Sequence, residues 1–239
     1  MNRGVRLREV AVRLVRTDAF AAPAPEARAR EFLADEEIRA LERLRPAAAR
    51  RDYLAAHFLA RVLLGEVSGV DPALVRLRAA PGGKPEFEAP PGVPPLRFSL
   101  SHADGIALCA AAEGCEVGAD VEGLRNLGPD PLAAAEVVCS EEERAVLEGL
   151  PPADRAARLL LLWTAKEAIA KATGRGLRLP LPLVTVLADR GGAAVEFAPG
   201  AGEGPEGWRI ELGRPTPVHA AAVAVRLAPG EKAAFRFAG

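Results

Sequence analysis

Residues 96–122 read LRFSLSHADGIALCAAAEGCEVGADVE. Leu96-Arg-Phe-Ser-Leu-Ser101 alternates apolar and polar side chains, and Ile106–Ala112 and Glu116–Val121 are two further strand-like runs. Glu113-Gly114-Cys115 separates the last two and predicts a hairpin between them. Before this stretch, Val10–Val15 reads as a strand, residues 26–64 are helical in spacing with a break at Pro46, and Leu74–Leu77 reads as a short strand. After it, Ser140-Glu-Glu-Glu143 forms a capping box for a helix that stops at Gly149 and Pro151. A long helix is predicted from about Pro152 to Thr173, closed by Gly174 and Gly176. The tail from Leu183 holds four short strand candidates, including Val218–Leu227. Strands and helices mix without a strict βαβ alternation, so the expected class is α+β.

The charge balance excludes some functions. Thirty-one Lys and Arg against 32 Asp and Glu, a net −1, rule out a generally basic nucleic-acid binder and an acidic disordered chain. Cys109, Cys115 and Cys139 form no CxxC, and two lie in apolar surroundings, as reduced thiols would. No apolar run follows the polar N-terminus, and Leu159–Trp163 is too short to span a bilayer. A soluble, cytoplasmic protein with neither nucleic acid nor membrane as partner is expected.

Two stretches can carry chemistry. In Val117-Gly-Ala-Asp120-Val-Glu122, Asp120 and Glu122 are two apart on a strand and project side by side. Adjacent carboxylates repel unless a cation lies between them, and a hard ion such as Mg²⁺ takes oxygen ligands; alternatively they are unrelated acids at a solvent-facing strand end. In Leu159-Leu-Leu-Leu-Trp163-Thr-Ala-Lys166-Glu167-Ala-Ile-Ala-Lys171, Thr164, Glu167 and Lys171 form one narrow polar stripe on an otherwise greasy helix. An acid on so apolar a helix needs a partner or a metal, although an ordinary Glu167–Lys171 pair one turn apart also accounts for it. Lys84, in the loop Gly83-Lys-Pro85, is suited to holding a phosphate or simply belongs to a turn, and His102 can donate to a phosphate oxygen or satisfy turn carbonyls.

In order, the GKP at 83–85, FSLSH at 98–102, VGADVE at 117–122 and WTAKEAIAKATGRGL at 163–177 resemble the 4′-phosphopantetheinyl transferases of the larger, surfactin-synthetase-activating type. The resemblance runs from about Phe32 to Leu181. It implies transfer of the phosphopantetheine arm of coenzyme A to a serine of an apo acyl or peptidyl carrier protein, with release of adenosine 3′,5′-bisphosphate. It also implies two similar α/β halves, 1–114 and 115–239, with the site between them, so that a monomer suffices. By position, Asp120, Glu122 and Glu167 match Mg²⁺-binding acids. Lys84, Ser101 and His102 match residues that contact coenzyme A, and Lys166 and Lys171 match the two lysines of the helix motif, with Lys166 expected among the coenzyme-binding residues. Lys171, Asp120 and Glu167 are the expected catalytic groups, Glu167 as the acceptor of the serine proton. Arg51, beside Arg50 and Arg45, is the candidate clamp for the 3′-phosphate. The sequence departs from the pattern at Ala103, where a Ser is usual, at Ala119, where a branched residue is usual, and at His57, where many relatives carry Arg. The competing reading is a noncatalytic coenzyme A or nucleotide-binding protein that retains the pocket.

Overall fold

The computed structural model describes residues 6–79, 84–128, 130–189 and 192–238. Strand β1 (Arg6–Arg16) leads into helices α1 (Pro23–Arg30), α2 (Asp35–Arg43) and α3 (Ala47–Ser68). The short strands β2 (Leu77–Ala79) and β3 (Pro85–Phe87) precede β4 (Leu96–Ala103), β5 (Ile106–Glu113) and β6 (Glu116–Gly123). Helices α4 (Pro131–Val138), α5 (Glu141–Gly149) and α6 (Pro152–Ala172) follow. The chain ends in β7 (Val184–Asp189), β8 (Gly192–Phe197), β9 (Trp208–Gly213), β10 (His219–Arg226) and β11 (Glu231–Ala238).

The helices begin where their caps require. Pro46 is the cap of α3 and separates it from α2, as its fixed φ and missing N–H dictate. At α5 the Ser140 hydroxyl accepts from the Glu143 N–H, and the Glu143 carboxylate accepts from the Ser140 N–H at 2.8 Å.

The strands form two main sheets, ordered β11-β1-β5-β4 and β6-β10-β9-β8-β7. The sheets face each other across Val10, Val12, Ile106 and Leu108 on one side and Val117, Val121, Val223 and Val225 on the other. On its outer face the first sheet carries α3, through Ala56, Leu59 and Leu63 against Phe98 and Cys109. The second carries α6, through Leu162, Ala165 and Ile169 against Ala220, Ala222 and Ala224. The layers therefore run α, β, β, α. Each fully buried Leu, Ile or Val contributes about 1.5–3 kcal/mol, and the many alanines let helix and sheet approach closely.

This is the expected α+β architecture, with three differences in detail. The expected hairpin at Glu113–Cys115 does not form. Strand β5 already has β1 on one edge and β4 on the other, so at Gly114 (φ +70°) the chain crosses to the second sheet, where β6 pairs with β10. The true hairpin is β4–β5, closed at Asp104-Gly105. Leu74 ends a 3-10 turn, Pro72–Leu74, and the strand begins only at Leu77. The tail has five strands among the described residues where four were expected. The last of them, β11, lies parallel to β1 and completes the first sheet, so residues 115–239 do not form a self-contained half. Among the described residues no helix is long and apolar enough to cross a membrane, and the three cysteines are free and buried.

Candidate active site

Strand β6 lies where the two main sheets meet. Its Val117, Ala119 and Val121 enter the core between the sheets, which turns Gly118, Asp120 and Glu122 toward α6. A Cβ on Gly118 would stand 1.9 Å from the Ala168 carbonyl oxygen and 2.5 Å from the Ala172 nitrogen. Only glycine lets the helix lie this close, and the close approach brings the end of α6 over the acids.

Lys171 Nζ donates to Asp120 Oδ1 at 2.7 Å, and Ser101 Oγ, reaching across from β4, donates to the same oxygen at 2.9 Å. Asp120 is 2% exposed, and its Oδ2 is buried without a partner among the described residues. Glu122, two residues on, accepts at Oε2 from the Asn126 side-chain amide. Burial and the neighbouring Asp120 charge push its carboxyl up to about 7, against the opposing Asn126 hydrogen bond and Lys171. Glu167 is likewise raised, first by burial and then by Asp120. The three acids therefore sense one another electrostatically. As the side chains stand, with Lys171 on Asp120 and Asn126 on Glu122, no group of three or more His, Cys, Asp or Glu among the described residues forms a ready metal cage.

A cavity of about 550 Å³ opens beside these groups, within the range of small-molecule and cofactor sites. Helices α2 and α3 supply Glu37, Tyr53 and His57, and the end of α6 and the turn after it supply Lys171, Gly174 and Gly176; Lys84, Pro85 and Ser99 also line it. Lys84 Nζ donates to the Val117 carbonyl at 2.9 Å and the Lys171 carbonyl at 2.8 Å, tying β6 to the end of α6. Burial lowers its proton affinity. Gly83 lies outside the described residues.

Tyr53 and His57 stack with ring centres 4.0 Å apart. His57 Nδ1 lies 2.6 Å from Glu37 Oε1, and Arg61 Nη2 donates to Glu37 Oε2 at 2.5 Å. Burial works to raise the Glu37 carboxyl, but the hydrogen bonds and charges of His57 and Arg61 outweigh it and hold the group at about 2. The Tyr53 phenol is pushed up to about 12, mainly by burial and then by Glu37, and stays neutral. His102 meets Tyr53 edge to face at 6.3 Å; burial holds its imidazole below the ordinary histidine value, so it is neutral at pH 7.

Asp120, Glu122, Glu167 and Lys171 thus come together, with Lys84, Ser101 and His102 around them. Two expected coenzyme contacts do not. Lys166 is fully buried and points away from the cavity, with Nζ donating to Glu143 Oε2 at 2.5 Å, the Val138 carbonyl at 2.7 Å and the Leu181 carbonyl at 3.1 Å. A buried ammonium requires this saturation, so Lys166 anchors α6 instead. Arg51 lines a different, smaller cavity of about 150 Å³, beside Glu26, Arg30 and Arg50. Sequence reasoning missed Glu37 and Tyr53, whose stretch carries no local motif, and Asn126, whose role appears only when its partner is known.

A family model described as the 4′-phosphopantetheinyl transferase superfamily aligns with β6 through most of β10. Residues 116–223 match that superfamily. Several curated 4′-phosphopantetheinyl transferases are similar to the chain. HetI of a Nostoc species is 34% identical over 54% of this chain and 54% of its own length. A Bacillus subtilis 4′-phosphopantetheinyl transferase is 29% identical over 62% and 63% respectively. AcpT of Salmonella typhimurium is 39% identical over 50% and 59%. The chain thus spans about half to two thirds of the length of the first curated relatives it matches. Among solved structures, a Bacillus anthracis holo-(acyl-carrier-protein) synthase in complex with coenzyme A (3′,5′-ADP) aligns over 46% of this chain and 94% of that one, with TM-score 0.39 and 21% identity. The family match contains Asp120, Glu122, Glu167 and Lys171, the residues that the structure brings together.

Proposed function

We propose that this protein is a 4′-phosphopantetheinyl transferase of the larger type, moving the phosphopantetheine arm of coenzyme A to a serine of an apo carrier protein and releasing adenosine 3′,5′-bisphosphate. The observation that carries the reading is the bare, buried Asp120 Oδ2 beside the Lys171 ammonium, which pairs with Oδ1 of the same carboxylate and itself lines a nucleotide-sized cavity. A desolvated carboxylate oxygen without a partner is costly, and its neighbourhood of further acids has the donor chemistry of a hard divalent cation. These residues therefore fit Mg²⁺, with Asp120, Glu122 and Glu167 as the side chains that would hold it. When bound, the ion would neutralise charge on nonbridging diphosphate oxygens.

The chain's own groups have distinct tasks. Lys171 puts a fixed positive charge beside Asp120, where negative charge on a reacting phosphate is stabilised. Ser101 and Lys171 together fix the Asp120 carboxylate by Oδ1 and leave the buried Oδ2 without a partner among the described residues. Lys84 holds the walls of the site in register. Tyr53 and His57 offer an aromatic surface, braced by Glu37, for the flat part of a nucleotide. Glu167, its proton affinity raised by burial and Asp120, accepts the proton of the incoming serine. Phosphoryl transfer is largely positioning and electrostatics, so no covalent protein intermediate is required. We take the protein to act as a cytoplasmic monomer.

The test is intact-mass analysis of a panel of apo carriers incubated with coenzyme A, with and without Mg²⁺. A gain of one phosphopantetheine that depends on the ion supports the reading; unchanged mass across the panel overturns it. The noncatalytic alternative predicts coenzyme binding without mass gain, and no observation favours it.

A further inference from the structure

Strand β6 runs directly into a 3-10 turn, Leu124–Leu127, and three of its four residues are spent on anchoring. The Leu124 N–H donates to the Val218 carbonyl at 2.9 Å. The Arg125 guanidinium grips the Asp104 carboxylate in the β4–β5 turn. Leu127 is buried in the core beneath α6. The preceding Gly123 is part of the same closure, because a Cβ there would come within 2.1 Å of Asp104 Oδ2. Asp104 itself has φ +49°, the one non-glycine with positive φ among the described residues. A left-handed aspartate is tolerated when its side chain is held.

The fourth residue, Asn126, is exposed and free of packing duties, yet its amide donates to Glu122 Oε2. An exposed asparagine in a turn ordinarily spends its side chain on nearby backbone or on water. Here it holds one oxygen of a carboxylate that Asp120 repels, leaving Oε1 without a partner among the described residues.

We propose that Asn126 is a positioning residue for divalent-cation binding: the anchored turn holds Glu122 by Oε2 so that Oε1 serves as ligand. The proposal rests on the cation site of the preceding section. Groups that orient a metal ligand typically contribute 10–100-fold in affinity.

The test uses Mn²⁺ as the probe, titrated into full-length protein and followed by electron paramagnetic resonance, without coenzyme or carrier. Asn126→Ala and Asn126→Leu are expected to weaken Mn²⁺ binding about 10-fold and to raise the Mg²⁺ concentration for half-maximal transfer equally. The KM for coenzyme A at saturating Mg²⁺ and the Tm should not move, and Asn126→Gln, which keeps the amide, should restore part of the affinity. Wild-type Mn²⁺ affinity in the Ala and Leu variants overturns the proposal, as does failure of both to fold, which would make the role structural. Wild-type protein that neither binds Mn²⁺ nor transfers the arm would instead overturn the reading of the site itself.

Discussion

Gly118 of β6 and Ala168 of α6 touch backbone to backbone, with no room for a single added carbon: a Cβ at 118 would be 1.9 Å from the Ala168 carbonyl oxygen. Gly118→Ala must therefore lift the helix and carry Glu167 and Lys171 away from Asp120. Overpacking of this kind costs about 1–3 kcal/mol, measurable by urea denaturation. Transfer rate should fall much further than the folded fraction. A variant with wild-type rate would show that the close contact is not what sets the site.

Asp120→Asn keeps the shape and the Ser101 contact but removes the charge opposite Lys171. Loss of one such electrostatic element should lower kcat about 10²-fold or more, with the folded state intact by circular dichroism. Lys171→Ala should fall similarly. Chelation of divalent ions should abolish carrier modification in the unmodified enzyme and leave little more to lose in Asp120→Asn.

Lys166 and Glu143 form a buried pair whose partners are all protein. Removing one partner strands a charge and should cost about 3–5 kcal/mol. Lys166→Ala is thus expected to lower Tm sharply, whereas the double change Lys166→Met with Glu143→Leu should recover much of the loss. If Lys166→Ala were as stable as wild type and only coenzyme affinity fell, Lys166 would belong to the coenzyme site after all.

Glu37 gives a pH signature. Its folded carboxyl lies at about 2, against an ordinary 4.5, so the folded state binds this proton more weakly than the unfolded state does. The stabilisation is fully present above pH 4.5 and is lost as pH falls toward 2. At roughly 1.4 kcal/mol per pH unit, its upper bound is about 3–4 kcal/mol. Glu37→Gln should lower stability at pH 7 and flatten the acid limb of a stability–pH curve; an unchanged limb would refute the assignment.

Much of the site was legible because strand and helix periodicity are local. Asp120 and Glu122 share a face by their spacing of two. Lys171 was visible too, but its partner was not: a Glu167–Lys171 pair one turn apart was an equal reading, and the structure pairs Lys171 with Asp120 from another element. Lys166 takes its expected role from its motif position alone, whereas the apolar surroundings on the helix signal the burial that the structure shows. The hairpin at Gly114 failed for a different reason. A tight turn can join two strands or let the chain cross between sheets, and the choice depends on β1, a hundred residues earlier in the chain, which holds the other edge of β5.

Strand β11 has a consequence for synthesis. Because β11 zips alongside β1, with Arg8 and Glu231 joined at 2.5 Å, the first sheet keeps an open flank until β11 has left the ribosome. An open flank invites pairing with other chains, and a contact between residues 223 apart in sequence is slow to find. Nascent chains stalled just short of Glu231 should accordingly be the most aggregation-prone and protease-sensitive intermediates in the birth of this protein.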